Sequence, residues 1–532
     1  MAKSFLKYSL IFIFLTLFVG CQQSRSPLSA QTQENKSSDW FEGSPYPISA
    51  TPDTLYVVDE ARFTPDQRLT IESLQGVLAQ TKPAIYRYLT GGYARWLADL
   101  ETNYGVTLNR TYQGNFVGLL RHFKSRISGY FLCDRNTISA NVALSLCGLR
   151  QALAATPALQ PVLDSLKIPL LQDVRTETFN ELLDAYGARF ATRAVVFQKP
   201  EKSLNLNDYA VFGKMLTFFA DVPGPLFTRV LNRSPVGGAL LGWGNDEFKL
   251  VSESSRHGFW VHAADWSLNL STLTNFSADL KQKTVADTAF VSRENVHTVC
   301  FLMTDGDNIQ WLLNDFATNP QWYGSPLRGQ LPLGWTVSPA MSQLAPTVLN
   351  LFYQEAAASE KGHDYFVASS SGLGYMYPER FKNLPQFAAL TAKFMEKSDL
   401  HILNIIGNER SEASLVPFLR QRAIDAIFYY DFANYSGGKG AIDWMEGKPV
   451  ICGRYNLWQG FETPASLAEK LNHLPRDARS PQGYSLIPVH VWSNGVPQIQ
   501  DCIQRLNTNV LVVTPDVFVK RIVHFLASPC GP

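Results

Sequence analysis

From His297 onward the chain repeats one pattern: a short apolar run, then a polar or amphipathic stretch of helix length. Eight such runs can be counted: Thr298–Met303, Leu333–Val337, Tyr365–Ala368, His401–Ile406, Ala426–Tyr430, Pro449–Cys452, Leu486–Val491 and Val510–Val513. Continuous apolar runs of this length are strands buried on both faces, which parallel sheets require. The intervening segments, such as Leu344–Ala358, Pro385–Glu396 and Pro464–Leu474, have helix length and apolar periodicity. Pro515-Asp516 opens the last one, through Leu526. The pattern predicts an α/β fold with a C-terminal (β/α)8-like barrel, a TIM barrel or close variant, over 297–532. An open doubly wound sheet is the alternative if one or two runs are not strands.

The chain has 532 residues, enough for more than one domain. Residues 45–275 also alternate strand-like and helix-like segments, among them Leu55–Val58, Tyr130–Cys133, Ala194–Phe197, Leu216–Ala220 and Ala239–Trp243. This predicts an N-terminal α/β region of two or three small subdomains. The polar stretch 276–296 reads as a linker.

In a parallel fold, function gathers where strands end and helices begin. The third run leads into Gly372-Leu373-Gly374-Tyr375-Met376-Tyr377-Pro378. The glycines permit a sharp turn, and Tyr375 and Tyr377, two apart, share a face if extended. The expectation is a paired aromatic ledge suited to a sugar. This segment resembles the signature of the GxGYxYP putative glycoside hydrolases at every fixed position. The resemblance implies a several-part N-terminal region, a C-terminal domain carrying the motif, and a carbohydrate substrate. It supplies no catalytic residue to carry over.

Strand ends supply the chemistry instead. Glycoside cleavage uses two carboxyls, one as proton donor and one as nucleophile or base. Asp305, Asp307, Glu409 and Asp431 are the available acids. The reading assigns Asp305 as nucleophile or base and Glu409 as general acid, with Asp431 as alternative partner. Substrate contacts are assigned to Asp307, Asn308, Tyr375, Tyr377, Asn408, Arg454, His490 and Trp492. Trp243 and Glu247 of the Gly242–Glu247 segment join them if that segment faces the barrel mouth. Non-catalytic glycan binding, or a metal-dependent hydrolase built on Asp305 and Asp307, are the alternatives. Paired Asp oxygens suit Ca²⁺ or Mg²⁺, whereas no HExxH motif supports zinc. No organic cofactor and no resident metal are expected.

Residues 1–20 read as a lipoprotein signal peptide: Lys3 and Lys7 precede an apolar core, and Leu17–Cys21 resembles a bacterial lipobox. Cleavage leaves Cys21 as the lipidated residue and 21–44 as a flexible, Gln- and Ser-rich tether. The tether has no acidic cluster, which favours the periplasmic face of the outer membrane over the cell surface. Losing Lys3 and Lys7 takes the formal charge from +1 to −1. With no basic stripe, nucleic acid is not an expected partner. Cys133 with Cys147, or Cys502 with Cys530, are the candidate disulfides in an oxidising compartment.

Overall fold

The computed structural model describes residues 44–284, 292–359 and 361–527. The expected signal peptide, Cys21, the tether up to residue 43 and Cys530 lie outside the described residues. Among those described, no helix is long and apolar enough to cross a membrane.

Three small sheets come first. β1 (Thr54–Asp59), β2 (Ile85–Tyr88) and β3 (Thr107–Asn109) pair in the order β2-β1-β3. β4 (Tyr130–Leu132), β5 (Leu153–Ala155) and β6 (Leu170–Asp173) pair as β5-β4-β6. β7 (Ala194–Phe197), β8 (Thr217–Phe218), β9 (Gly238–Gly242) and β10 (Phe259–His262) pair as β10-β9-β7-β8. All these pairings are parallel, so helices return the chain between strands. The first, Pro65–Ala79, begins where the sequence says it should. Thr64 and Gln67 form a reciprocal capping box and Pro65 occupies the first turn. A buried ion cluster ties this region together. Fully buried Arg87 donates to both carboxylate oxygens of Glu60 (2.8 and 3.0 Å), and lies 3.2 Å from Glu72. Removing one partner would leave an uncompensated buried charge.

The C-terminal sheet contains β11 (His297–Met303), β12 (Leu333–Val337), β13 (Asp364–Ala368), β14 (Ile402–Gly407), β15 (Ala426–Asp431), β16 (Ile442–Met445), β17 (Lys448–Cys452), β18 (Tyr484–Val489) and β19 (Val510–Val512). The order is β16-β17-β15-β14-β13-β12-β11-β18, and β19 also pairs with β11. This corrects the expected eight-stranded barrel. β18 runs in register with β11 from Thr298 to Met303 and fills that edge. The last strand therefore lies on the opposite edge of β11, along His297–Val299, below the short pairing with β12. Between β17 and β18 there is no continuous ladder. Single bridges at Gly453–Leu486 and Leu457–Val489 join the two ends of a curled parallel sheet. β16 pairs antiparallel with β17, so the glycine-rich segment 436–440 leads into a hairpin.

Arg454 is part of this seam. Its guanidinium donates to the carbonyls of Tyr484 (2.9 Å), Gly440 and Pro481 (both 3.3 Å) and to Gln482 Oε1 (3.2 Å). Its expected role as a substrate ligand is thereby overturned: the donors are consumed in closing the sheet. The cysteine expectation changes too. Cys133 and Cys147 are free, buried core residues. Cys502 is buried too, while its candidate partner Cys530 lies outside the described residues.

The Gly372–Pro378 segment is a clasp. Val261 N donates to Tyr375 O and Tyr375 N donates to Val261 O, both at 2.9 Å, joining the motif antiparallel to edge strand β10. Gly372 has φ +98°, a conformation that disfavours side chains. Gly374 is required sterically. A Cβ there would lie 2.5 Å from Trp260 Cδ1 and 3.0 Å from His262 Cε1. Trp260 and His262 are fully buried and cannot yield. Gly374→Ala is therefore expected to destabilise the protein by about 1–3 kcal/mol. An unchanged midpoint in chemical denaturation would refute this account of the clasp.

Candidate active site

At the carboxyl end of the large sheet lies a cavity of 360 Å³. Its size falls within the range for small-molecule sites. Carboxyls come from two directions. Asp305 and Asp307 follow β11, and Glu247 opens the helix Glu247–Arg256 that follows β9.

The loop after β11 is tightly specified. Asp305 has φ +66°, and Gly306 N donates to Thr336 Oγ1 at 2.9 Å. A Cβ on Gly306 would sit 1.9 Å from Thr336 O, so only glycine fits against β12. A non-glycine residue held at positive φ by its surroundings is a frequent mark of a functional site. Asp305 Oδ1 accepts from Trp492 Nε1 at 3.0 Å, and Oδ2 accepts from Thr304 Oγ1. Both carboxyl oxygens thus receive donors. Asp307 is 8 % exposed. Burial pushes its carboxyl up from 3.8 to about 7, and the neighbouring Asp305 charge adds to this, while a hydrogen bond from Ser370 opposes it. Asp307 thus keeps its proton to a higher pH than an ordinary carboxyl does. The helix that follows is capped by Asn308, whose Oδ1 accepts from Trp311 N at 3.2 Å.

Glu247 faces these acids. Asp246 caps the helix by accepting from Lys249 N at 3.0 Å. Glu247 sits exposed at the rim, yet its Oε1 accepts the Tyr375 hydroxyl at 2.8 Å. Its carboxyl is raised above the usual range by burial first, then by the charges of Asp305 and Asp246, against the Tyr375 hydrogen bond. The motif tyrosines are therefore not a ledge. Tyr375 is 4 % and Tyr377 0 % exposed, packed edge-to-face with ring centroids 5.6 Å apart. Tyr375 reaches the cavity and holds Glu247; Tyr377 is sealed between Phe248 and Phe432. The assignment of Tyr377 as a sugar contact is corrected accordingly.

Aromatic walls come from elsewhere. Trp243, Trp458, Tyr435 and Trp492 line the cavity. His490 stacks on Trp458 with centroids 4.1 Å apart, and its Nδ1 lies 3.1 Å from Ser493 Oγ. Burial lowers the basicity of His490, against the pull of Asp305.

Of the residues expected from sequence, the cavity gathers Asp305, Asp307, Asn308, Tyr375, His490, Trp492, Trp243 and Glu247. Glu409, Asp431 and Asn408 are not among its walls. Side chains alternate along a strand. Ile406 and Phe432 face the cavity, so Gly407 and Asp431, paired in register, face away. Beyond Gly407 the chain turns outward. Asn408 is exposed and bonds to Glu379 Oε1 at 2.8 Å, and Glu409 is exposed. Glu409 and Asp431 are thus displaced as acid partners of Asp305. Trp458, Tyr435 and Gln310 were missed: they lie beyond the strand ends, where no local pattern marks them. Among the described residues, no group of three or more His, Cys, Asp or Glu is placed to hold a metal ion.

Four family models match successive parts of the chain. Residues 54–125, 127–190 and 192–275 match the GxGYxYP first, second and third N-terminal domains. Residues 295–523 match the GxGYxYP putative glycoside hydrolase C-terminal domain. The crystal structure of a putative hydrolase from Bacteroides thetaiotaomicron VPI-5482 superposes with a TM-score of 0.83 at 28% identity, over 90% of this chain and 96% of that one. No curated protein sequence matches.

Proposed function

The chain belongs to the GxGYxYP putative glycoside hydrolase family, and from that premise we propose that it cleaves glycosidic bonds with its own carboxyls. The observation that carries the reading is that Asp305 shares an aromatic-walled cavity with Asp307, whose carboxyl burial pushes up to about 7. Asp307 serves as general acid and protonates the leaving oxygen. Asp305, with both oxygens already oriented, attacks the anomeric carbon or draws a proton from water. Positive charge developing on the sugar ring is stabilised by the carboxylates of Asp305 and Glu247. Tyr375 keeps Glu247 aimed at the cavity, which gives the signature tyrosine a positioning role. The indoles of Trp243, Trp458 and Trp492 supply flat apolar faces for the sugar.

The same proposal includes an N-terminal lipid on Cys21 and residence at the periplasmic face of the outer membrane. It rests on the lipobox-like residues 17–21 and the non-acidic tether.

A panel of neutral glycans incubated with the purified protein tests the enzymatic reading. New reducing ends are expected, at a rate unchanged by a chelator. Binding without release on every glycan would replace hydrolysis with recognition alone. A rate lost to chelation and restored by Mg²⁺ or Ca²⁺ would instead favour a metal-assisted reaction.

A further inference from the structure

A second cavity, of 530 Å³, adjoins the first. Asn308, Gln310 and Trp492 line both, so one wall is common to the two. Aromatic surface continues through that wall. The Trp492 ring lies 5.5 Å from Trp311 and 6.0 Å from Trp322, both of which line the second cavity. At its other side stands Trp266, 53 % exposed. This tryptophan is held in position. Lys202, ion-paired to Asp265, lies 5.0 Å over its ring, and its backbone N donates to Gln310 Oε1 at 2.7 Å. The residue that fixes Trp266 is thus also a residue of the common wall.

The charges in the second cavity narrow the ligand. With Glu60 paired to buried Arg87, Glu201 and Asp315 stand against the guanidinium of Arg68. Glu60 is fixed by its two hydrogen bonds from Arg87. Such a lining repels sulfated or carboxylated sugars and offers acceptors to hydroxyl groups. Indole faces and hydroxyl acceptors together fit an uncharged pyranose unit.

We propose that the Trp266 cavity binds further neutral sugar units of the glycan whose scissile bond lies beside Asp305, so that the substrate is an oligosaccharide. This rests on the hydrolase reading above and adds the chain length and charge of the substrate to it. The test uses the whole protein and neutral cello-, xylo-, malto- and chitin-oligosaccharides of two to six units. For the class that is cut, kcat/KM is expected to rise with length, and Trp266→Ala to lower the hexamer-to-dimer ratio about tenfold. Trp266→Phe should keep most of that ratio, because a flat ring remains. The alanine variant removes an exposed side chain and opens no buried void. A ratio unmoved in Trp266→Ala while bonds are still cut would overturn the second site and leave the hydrolase reading standing. Length-graded binding to Asp305→Asn protein that depends on Trp266, with no cleavage by the native chain, would uphold the site and overturn hydrolysis. No binding at any length would overturn both.

Discussion

Asp305→Asn is expected to lower kcat on the cleaved glycan by on the order of 10³-fold or more. The size follows from the role: the residue either supplies the electron pair that displaces the leaving oxygen or deprotonates the water that does so. The substitution is conservative for the fold. An amide oxygen still accepts from Trp492 Nε1, now at 3.0 Å from Asp305 Oδ1, and the positive-φ position tolerates Asn as readily as Asp. Binding of the same glycan should therefore persist, and the loss should fall on kcat rather than KM. Native turnover in this variant would remove Asp305 from the chemistry. Glu409→Gln is the internal control. Its side chain is exposed away from the cavity, and the rate should stay within about twofold of native.

Asp307→Asn should cost about 10²–10⁴-fold on a glycoside with a poor leaving group, the usual contribution of general acid catalysis. A nitrophenyl glycoside, whose leaving group needs little protonation, should lose much less. The pH profile gives an independent reading. With the acid near 7, native kcat/KM should fall as pH rises through about 7, and this limb should be absent in the variant. Stability falls in the same direction with pH. The carboxyl ionises near its ordinary 3.8 when unfolded and near 7 when folded. Between those values the native state holds the extra proton, so stability declines from about pH 4 to 7 and is level above. At pH 8 the variant should gain up to about 4 kcal/mol over the native protein, a gain that disappears below about pH 4. A stability difference independent of pH would show that Asp307 titrates normally.

Much of the scaffold was legible. Each of the eight apolar runs after His297 contains a strand, because two-sided burial leaves a continuous hydrophobic signature. The place of Asp305 at the cavity was legible for the complementary reason: an acid just beyond a buried strand lies where a parallel sheet gathers its loops. The rest depends on pairing, which a linear pattern does not encode. Nothing in Val510–Val512 distinguishes one edge of β11 from the other, so the barrel was overcounted. Asp431 was misassigned by a parity of one residue, since Phe432 and not Asp431 faces the cavity. Arg454 was charged, near a strand end, and entirely occupied by carbonyls of segments distant in sequence. The tyrosine motif misled most. Its spacing suggests one shared face, but Phe248 and Phe432 enclose Tyr377, and Tyr375 touches the site through its hydroxyl instead.

The clasp between Tyr375 and β10 also joins two sources of the candidate site. Asp305 and Asp307 sit on the loop after β11, whereas Trp243 and Trp266 arrive on separate scaffolding around the third small sheet. On the proposed reading, substitutions in that outlying piece would change which ligand is held while both acids stay in place.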